Sequence, residues 1–274
     1  MTFTIEVPGA RLNAADGGAG DAIVLLHAGV ADLRSWDAMV PLLVDAGLRV
    51  IRYDLRGFGA SEVDDVEFSN RADVMAVLDA LDIERAALVG NSRGGHIAFD
   101  TAVEFPDRVV AVVGVGAGIG GLEHEPTPEE VAIFEEMERL EDAEPRDAEA
   151  LADQAVRVWV DGIGQPPDRV APEIRDYVRR ATIVSYEPGK VAGRPIVLDP
   201  PAAARLADLR CPVLAVAGGY DTSFITAVAH HLERHAPNGR AVIWPDVAHM
   251  IGMERPAELA ALIVDFLASM RPWR

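Results

Sequence analysis

Residues 88–100 read Leu-Val-Gly-Asn-Ser-Arg-Gly-Gly-His-Ile-Ala-Phe-Asp (LVGNSRGGHIAFD), an apolar run that gives way to a glycine-flanked serine and then to a helix-forming segment. Gly90-Asn91-Ser92-Arg93-Gly94 has the form G-x-S-x-G. Two local readings are open. The glycines either let a strand turn tightly into a helix with Ser92 as its N-cap, or they permit a strained turn that holds up the Ser92 hydroxyl as a nucleophile. The surrounding order favours the second. A strand-like run precedes, HIAFDTAVEF follows as a helix, and the amides at that helix start face the place where negative charge would develop.

The same alternation runs through the chain. AIVLLHAG (22–29), LRVIRYDL (48–55), RAALVGN (85–91) and VVAVVGVGAG (109–118) are apolar runs of strand length, and CPVLAVAGG (211–219) and RAVIWPD (240–246) resume the pattern later. Continuous apolar strands of this kind suit burial on both faces. Between them, Val74, Val77, Leu78 and Leu81 fall on one face of a helix. The expected fold is therefore α/β, a mostly parallel central sheet with helices on both faces. Residues 122–200 break the rhythm: they carry no strong strand, and Val131, Phe134, Met137 and Leu140 recur every three residues along an acidic helix. The sheet pattern resumes at Cys211, so this segment reads as a helical insertion, with 1–121 and 201–274 forming one core.

The chain has 274 residues, half of them hydrophobic and a quarter charged; 25 basic against 44 acidic side chains leave a net charge of −19. Such a surface repels phosphate backbones and anionic bilayers, which argues against nucleic-acid and membrane partners. It disfavours anionic substrates too, unless a local arginine overrides it. No apolar run approaches the roughly 18 residues of a membrane span, and the first ten residues lack the pattern of a secretory signal. A cytoplasmic location is the expectation. A single cysteine, Cys211, allows neither a disulfide framework nor a cysteine metal cluster and reads as a buried thiol.

A serine needs a base, and the base needs an orienting group. His249 sits in a loop just after the last apolar run, where groups at a sheet end gather. Two carboxylates compete for the third role. Asp221 follows another strand through Gly218-Gly219, whereas Asp246 lies three residues before His249. Asp221 is preferred because it approaches the imidazole from a different strand end. An oxyanion hole requires two converging backbone amides. Arg93 supplies one; the other is assigned to Gly29, with Val30 directly behind it. His27 reads as a loop-stabilising side chain.

Together, GNSRGG around Ser92, His27-Ala28-Gly29 with Trp36 nine residues on, YDLRGFGAS (53–61), GGYD and VAHM resemble the α/β-hydrolase superfamily along the whole chain. The pattern is similar to lid-bearing carboxylesterases, enol-lactonases and cofactor-free haloperoxidases. The resemblance implies a triad of Ser92, Asp221 and His249, an oxyanion hole from the Arg93 and Gly29 amides, and a lid formed by residues 122–200. A serine at the elbow separates the chain from relatives that use a carboxylate nucleophile. Two departures stand out: the early loop reads His-Ala-Gly rather than His-Gly, and Arg93 replaces the commoner Met, Leu or Gln.

The expected reaction is acyl transfer to water on a small-molecule ester or lactone, without metal or other cofactor. Amide or lactam hydrolysis and perhydrolysis are alternatives on the same triad, and a receptor with little turnover is an alternative of another class. Val30, Trp36, Phe134, Trp159 and Tyr220 are candidate substrate contacts, with Tyr177 a further candidate wall. A homo-oligomer is compatible with the sequence. Three other signals carry less. GAGIGG (116–121) fits G-x-G-x-x-G, but no apolar helix follows it. His231 and His235 lie one helical turn apart without the Glu of a zinc-protease helix. Ser61 is a loop residue with no nucleophilic role.

Overall fold

The computed structural model describes residues 2–187 and 190–270. Met1, residues 188–189 of the predicted insertion and residues 271–274 of the predicted core lie outside them. The main strands are β1 (Thr2–Val7), β2 (Ala10–Gly18), β3 (Asp21–Leu26), β4 (Leu48–Tyr53), β5 (Ala86–Asn91), β6 (Val109–Val115), β7 (Val213–Gly218) and β8 (Arg240–Trp244). They form one sheet in the order β1-β2-β4-β3-β5-β6-β7-β8, with a short ninth segment, Glu62–Val63, on β2. β1 and β2 run antiparallel to their neighbours. From β4 through β8 every pairing is parallel.

All six apolar runs became strands of the parallel part. The antiparallel hairpin β1–β2 did not stand out in the sequence because it lies at the sheet edge. β1 buries only Ile5 and Val7, so its apolar signal is half that of an interior strand.

Alternate residues of the interior strands feed two separate cores. Val24, Leu26 and Leu88 pack on one side with α2 (Asn70–Ala80), α3 (Arg93–Glu104) and α7 (Ser223–His235). Ile23, Leu25 and Val89 pack on the other with α1 (Val40–Asp45) and α9 (Pro256–Ala268). Burial on both faces explains why these strands read as unbroken apolar runs.

Between β6 and β7 the chain makes α4 (Pro128–Asp142), α5 (Ala148–Ala155), a π-helical segment at Val156–Asp161, and α6 (Pro172–Ser185). Thr127 and Glu130 form a reciprocal capping box that starts α4. The π segment and α6 pack Val156, Val160 and Val178 against Ala28, Ala31 and Met250. The insertion thus sits on the loops at the C-terminal ends of the parallel strands, where ligands of open α/β sheets bind. A short parallel pair, Glu67–Phe68 with Arg194–Pro195, fastens its return to the core.

Candidate active site

The Gly90–Gly94 turn is strained. Ser92 has φ 54° and ψ −117° and precedes the first residue of α3, a conformation costly for any residue with a Cβ. Close packing enforces it. A Cβ on Gly90 would lie 2.2 Å from the Gly94 carbonyl carbon, and one on Gly94 would lie 2.2 Å from the Leu26 carbonyl oxygen. Gly90 thus lets α3 approach its own strand β5, and Gly94 lets α3 approach the end of β3; a larger residue at either position would force them apart. The Ser92 amide donates to the Val115 carbonyl at 2.9 Å, fixing the turn to β6.

His249 stands in the loop between β8 and α8 (Ile251–Glu254), nearly fully buried. Its Nδ1 lies 2.7 Å from Oδ2 of Asp221, whose side chain is completely buried. The Thr222 amide donates to the other carboxylate oxygen at 2.7 Å, so both oxygens of Asp221 are engaged. Asp246, the competing acid, points to solvent and pairs with Arg255. Asn91, beside the serine, donates from Nδ2 to the Val115 carbonyl at 2.9 Å and to the His249 carbonyl at 3.2 Å. It ties the histidine loop to the serine turn.

Ser92, His249, Arg93, Gly29 and Val30 all face one cavity of about 570 Å³, within the ordinary range for a small-molecule pocket. Among the described residues, no protein acceptor binds the backbone N–H of Arg93, Gly29 or Val30. His27 is enclosed and occupied: Leu55 N–H donates to its Nε2 at 2.9 Å, leaving Nδ1–H for the Ala28 carbonyl at 2.7 Å. Burial pushes its pKa down, so it stays neutral and shapes the Gly29 loop.

The insertion supplies the opposite wall. Trp159, carried by the π segment, sets its ring 4.6 Å, centroid to centroid, from the His249 imidazole. Leu151, Ala155, Thr182 and Tyr186 also face the cavity. Arg169 links the insertion to the histidine loop. It donates to the Val160 and Asp161 carbonyls at 2.7 Å each and forks onto Glu254 at 2.5 and 3.0 Å. Glu254 in turn accepts the Ala248 N–H at 2.9 Å.

Three of the expected substrate contacts, Trp36, Phe134 and Tyr220, do not line the cavity. Trp36 is buried in the core beneath the sheet with Met39, Ile251 and Leu259, because the short helix Leu33–Trp36 turns its ring inward. Phe134 is 37% exposed and does not line the cavity: it lies one turn before Met137 on the same face of α4, and the helix meets the cavity only from Met137 to Glu141. Tyr220 stacks under the Arg169 guanidinium at 5.2 Å, outside the cavity. Tyr177 likewise is no wall: its hydroxyl donates to Asp32 Oδ1 at 2.9 Å.

Cavity residues that sequence reasoning passed over include His96 and Asp100. They lie four and eight residues after Ser92, on the same face of α3, and helical periodicity from the serine would have found them. Asn70, Arg71 and the strap at 195–197 carried no local signal. The GAGIGG run makes the loop after β6, with Gly118 at the cavity wall, and α4 begins only at Pro128. Cys211 is buried, and burial pushes its thiol up to about 12. Among the described residues no group of three or more His, Cys, Asp or Glu side chains could hold a metal ion, and no helix is long and apolar enough to cross a membrane.

Residues 21–256 match the alpha/beta hydrolase fold family, and with the sheet order and strained serine turn in view the chain belongs to that family of enzymes. It is 28% identical over 279 residues to a 2-hydroxy-6-oxononadienedioate/2-hydroxy-6-oxononatrienedioate hydrolase of Cupriavidus pinatubonensis, covering 94% of this chain and 91% of that protein. Among solved structures, a hydrolase from Pseudomonas aeruginosa superposes with a TM-score of 0.74 at 25% identity, covering 97% of this chain and 98% of that one. An N-acyl homoserine lactone degrading enzyme superposes at 0.68 with 26% identity, over 96% and 99% of the two chains.

Proposed function

We propose that this hydrolase cleaves a carboxylic ester or lactone of a small molecule through an acyl-enzyme on Ser92. The observation that carries the reading is the buried Asp221–His249 pair at 2.7 Å, opening on the cavity that holds the strained Ser92. With Nδ1–H donated to Asp221, Nε2 is left as the free base. His249 takes the Ser92 proton as Oγ bonds to the substrate carbonyl carbon. The resulting oxyanion accepts from the Arg93 N–H at the start of α3 and from a second amide in the Gly29–Val30 loop. The bond to the leaving alkoxide breaks and His249 returns the proton to it. Water then gives its proton to His249 as its oxygen bonds to the acyl carbon; the acyl–Oγ bond breaks, His249 returns the proton to Ser92 Oγ, and the acid leaves.

Residues 122–200 act in this reading as a lid. Their described residues bring Trp159 against His249 and supply one wall of the cavity. The likeness to a lactone-degrading enzyme supports a lactone or ester as the bond cleaved. The relative from Cupriavidus favours a second reading on the same residues, hydrolysis beside the ketone of an oxo-dienedioate.

Hydrolysis across nitrophenyl esters, N-acyl lactones, anilides and a 6-oxo-dienoate, with Ser92→Ala as the blank, tests both. The ester or lactone reading expects turnover of those classes and none by Ser92→Ala. Wild-type rates in that variant would sink the serine mechanism. Turnover confined to the oxo acid would select the second reading.

A further inference from the structure

The side chain of Arg93 is the one free cation of the cavity among the described residues. It leaves the elbow directly after Ser92 and crosses the oxyanion loop: a Cβ on Gly29 would sit 3.1 Å from its Nε. Its guanidinium carbon lies 5.5 Å from the centroid of the Phe58 ring. No carboxylate pairs with it. The other arginine of the cavity, Arg71, is bound to Glu104 and to the Ile196 carbonyl. Burial lowers the Arg93 pKa, yet a guanidinium stays protonated in such surroundings. The side chain is solvent-accessible at the cavity and has no carboxylate partner, so its donors are open to an anionic ligand.

The rest of the cavity fixes where such an anion can lie. Asp100, eight residues after Ser92 and about 12 Å further along α3, is buried; its Oδ2 lies 3.4 Å from Nε2 of His96, and its Oδ1 has no hydrogen-bond partner. The hydroxyl of Thr182, also buried and facing the cavity, lacks one too. Glu141 is engaged by the Tyr186 hydroxyl at 2.8 Å. The Arg93 guanidinium thus sits beside the elbow, and Asp100 lies about two helical turns along α3. A carboxylate is repelled from the Asp100 end and drawn to the Ser92 end, where the planar fork of Arg93 matches its two oxygens.

We infer that the substrate carries a carboxylate a few atoms from the scissile carbonyl, held by the Arg93 guanidinium, with a hydrogen-bond donor reaching toward Asp100. The inference rests on the serine-hydrolase reading for the position of the carbonyl. It makes Arg93 a residue of two functions, its amide serving the oxyanion and its side chain selecting the charge of the substrate. The guanidinium also gives an acidic protein a local means of binding an anion.

The test compares 4-nitrophenyl hemisuccinate and hemiglutarate with the neutral butyrate and pentanoate esters in the parent enzyme, Arg93→Met and Arg93→Lys. Taking the ratio within each enzyme cancels any change in the contribution of the Arg93 amide. The parent is expected to favour the charged esters in kcat/KM by about tenfold or more; Arg93→Met should abolish that preference and Arg93→Lys should keep part of it. In parallel, calorimetry on Ser92→Ala compares monomethyl glutarate with dimethyl glutarate. The monoanion should bind more tightly, weaken with salt, and lose its advantage when Arg93→Met is added. The inference is overturned if the charged ligands have no advantage in the parent proteins, or if their advantage survives Arg93→Met. Absence of turnover of all four esters would count against the serine-hydrolase reading alone, and the calorimetric pair would still decide the role of Arg93.

Discussion

The indole of Trp159 rests against the imidazole of His249 with ring centroids 4.6 Å apart and planes tilted by 44°. One ring belongs to the insertion and the other to a core loop, so the position of the histidine is shared between the two. The π-helical turn that carries Trp159 adds a residue to the helical repeat and re-aims the side chain, as such turns do at functional sites. An aromatic contact of this kind contributes about 0.5–1.5 kcal/mol. Trp159→Ala is expected to lower kcat/KM by roughly three- to tenfold on a short nitrophenyl ester, with little change in Tm by calorimetry.

Arg169 holds the same junction from the other side. Its fork on Glu254 is largely buried, with side-chain exposures of 14% and 8%, so truncating one partner strands the other charge. Arg169→Met is expected to destabilise the protein by about 3 kcal/mol, visible as a lower urea midpoint. Because Glu254 also fixes Ala248 next to His249, kcat should fall with it at temperatures where the variant is folded. A variant with parental stability and kcat would refute the coupling.

Asp221 and Asp246 should separate cleanly. Asp221→Asn removes the acceptor that selects the His249 tautomer, and a loss of about 10³–10⁴-fold in kcat is expected. Asp246→Asn touches only a solvent-exposed pair with Arg255, worth at most about 1 kcal/mol. Its kcat should stay within about twofold of the parent. Comparable losses in the two variants would remove Asp221 from the mechanism.

The serine turn predicts a trade of stability against activity. Holding Ser92 at φ 54° costs about 1–3 kcal/mol, which glycine would avoid, less about 0.5–1 kcal/mol for glycine's extra unfolded freedom. Ser92→Gly should therefore abolish turnover and leave Tm equal to or above that of the parent. A marked fall in Tm would mean that the turn is not strained.

Much of the molecule was visible in one dimension. Six apolar runs gave the parallel strands because each is buried on both faces, and G-x-S-x-G marked the elbow because only glycine tolerates the 2.2 Å approaches at positions 90 and 94. Asp221 and His249 each follow a strand end, and the fold brings them within 2.7 Å of each other. The cavity wall was not readable in the same way. Phe134, Trp36, Tyr220 and Tyr177 are aromatic like Trp159, and nothing local distinguishes the residue that faces the ligand from those that pack or point outward. That choice depends on how α4, α6 and the π segment settle on the strand-end loops.

The chain's own order therefore specifies the sheet, the turn and the chemistry of its serine, since those follow from local periodicity, glycine geometry and residue type. Which charges remain unpaired follows from packing. Arg93 and Arg71 are alike as residues, yet Glu104 neutralises one and no acid reaches the other. Only the tertiary arrangement leaves a bare guanidinium beside Ser92, because it brings Gly29 beneath that side chain and places Asp100 two helical turns away.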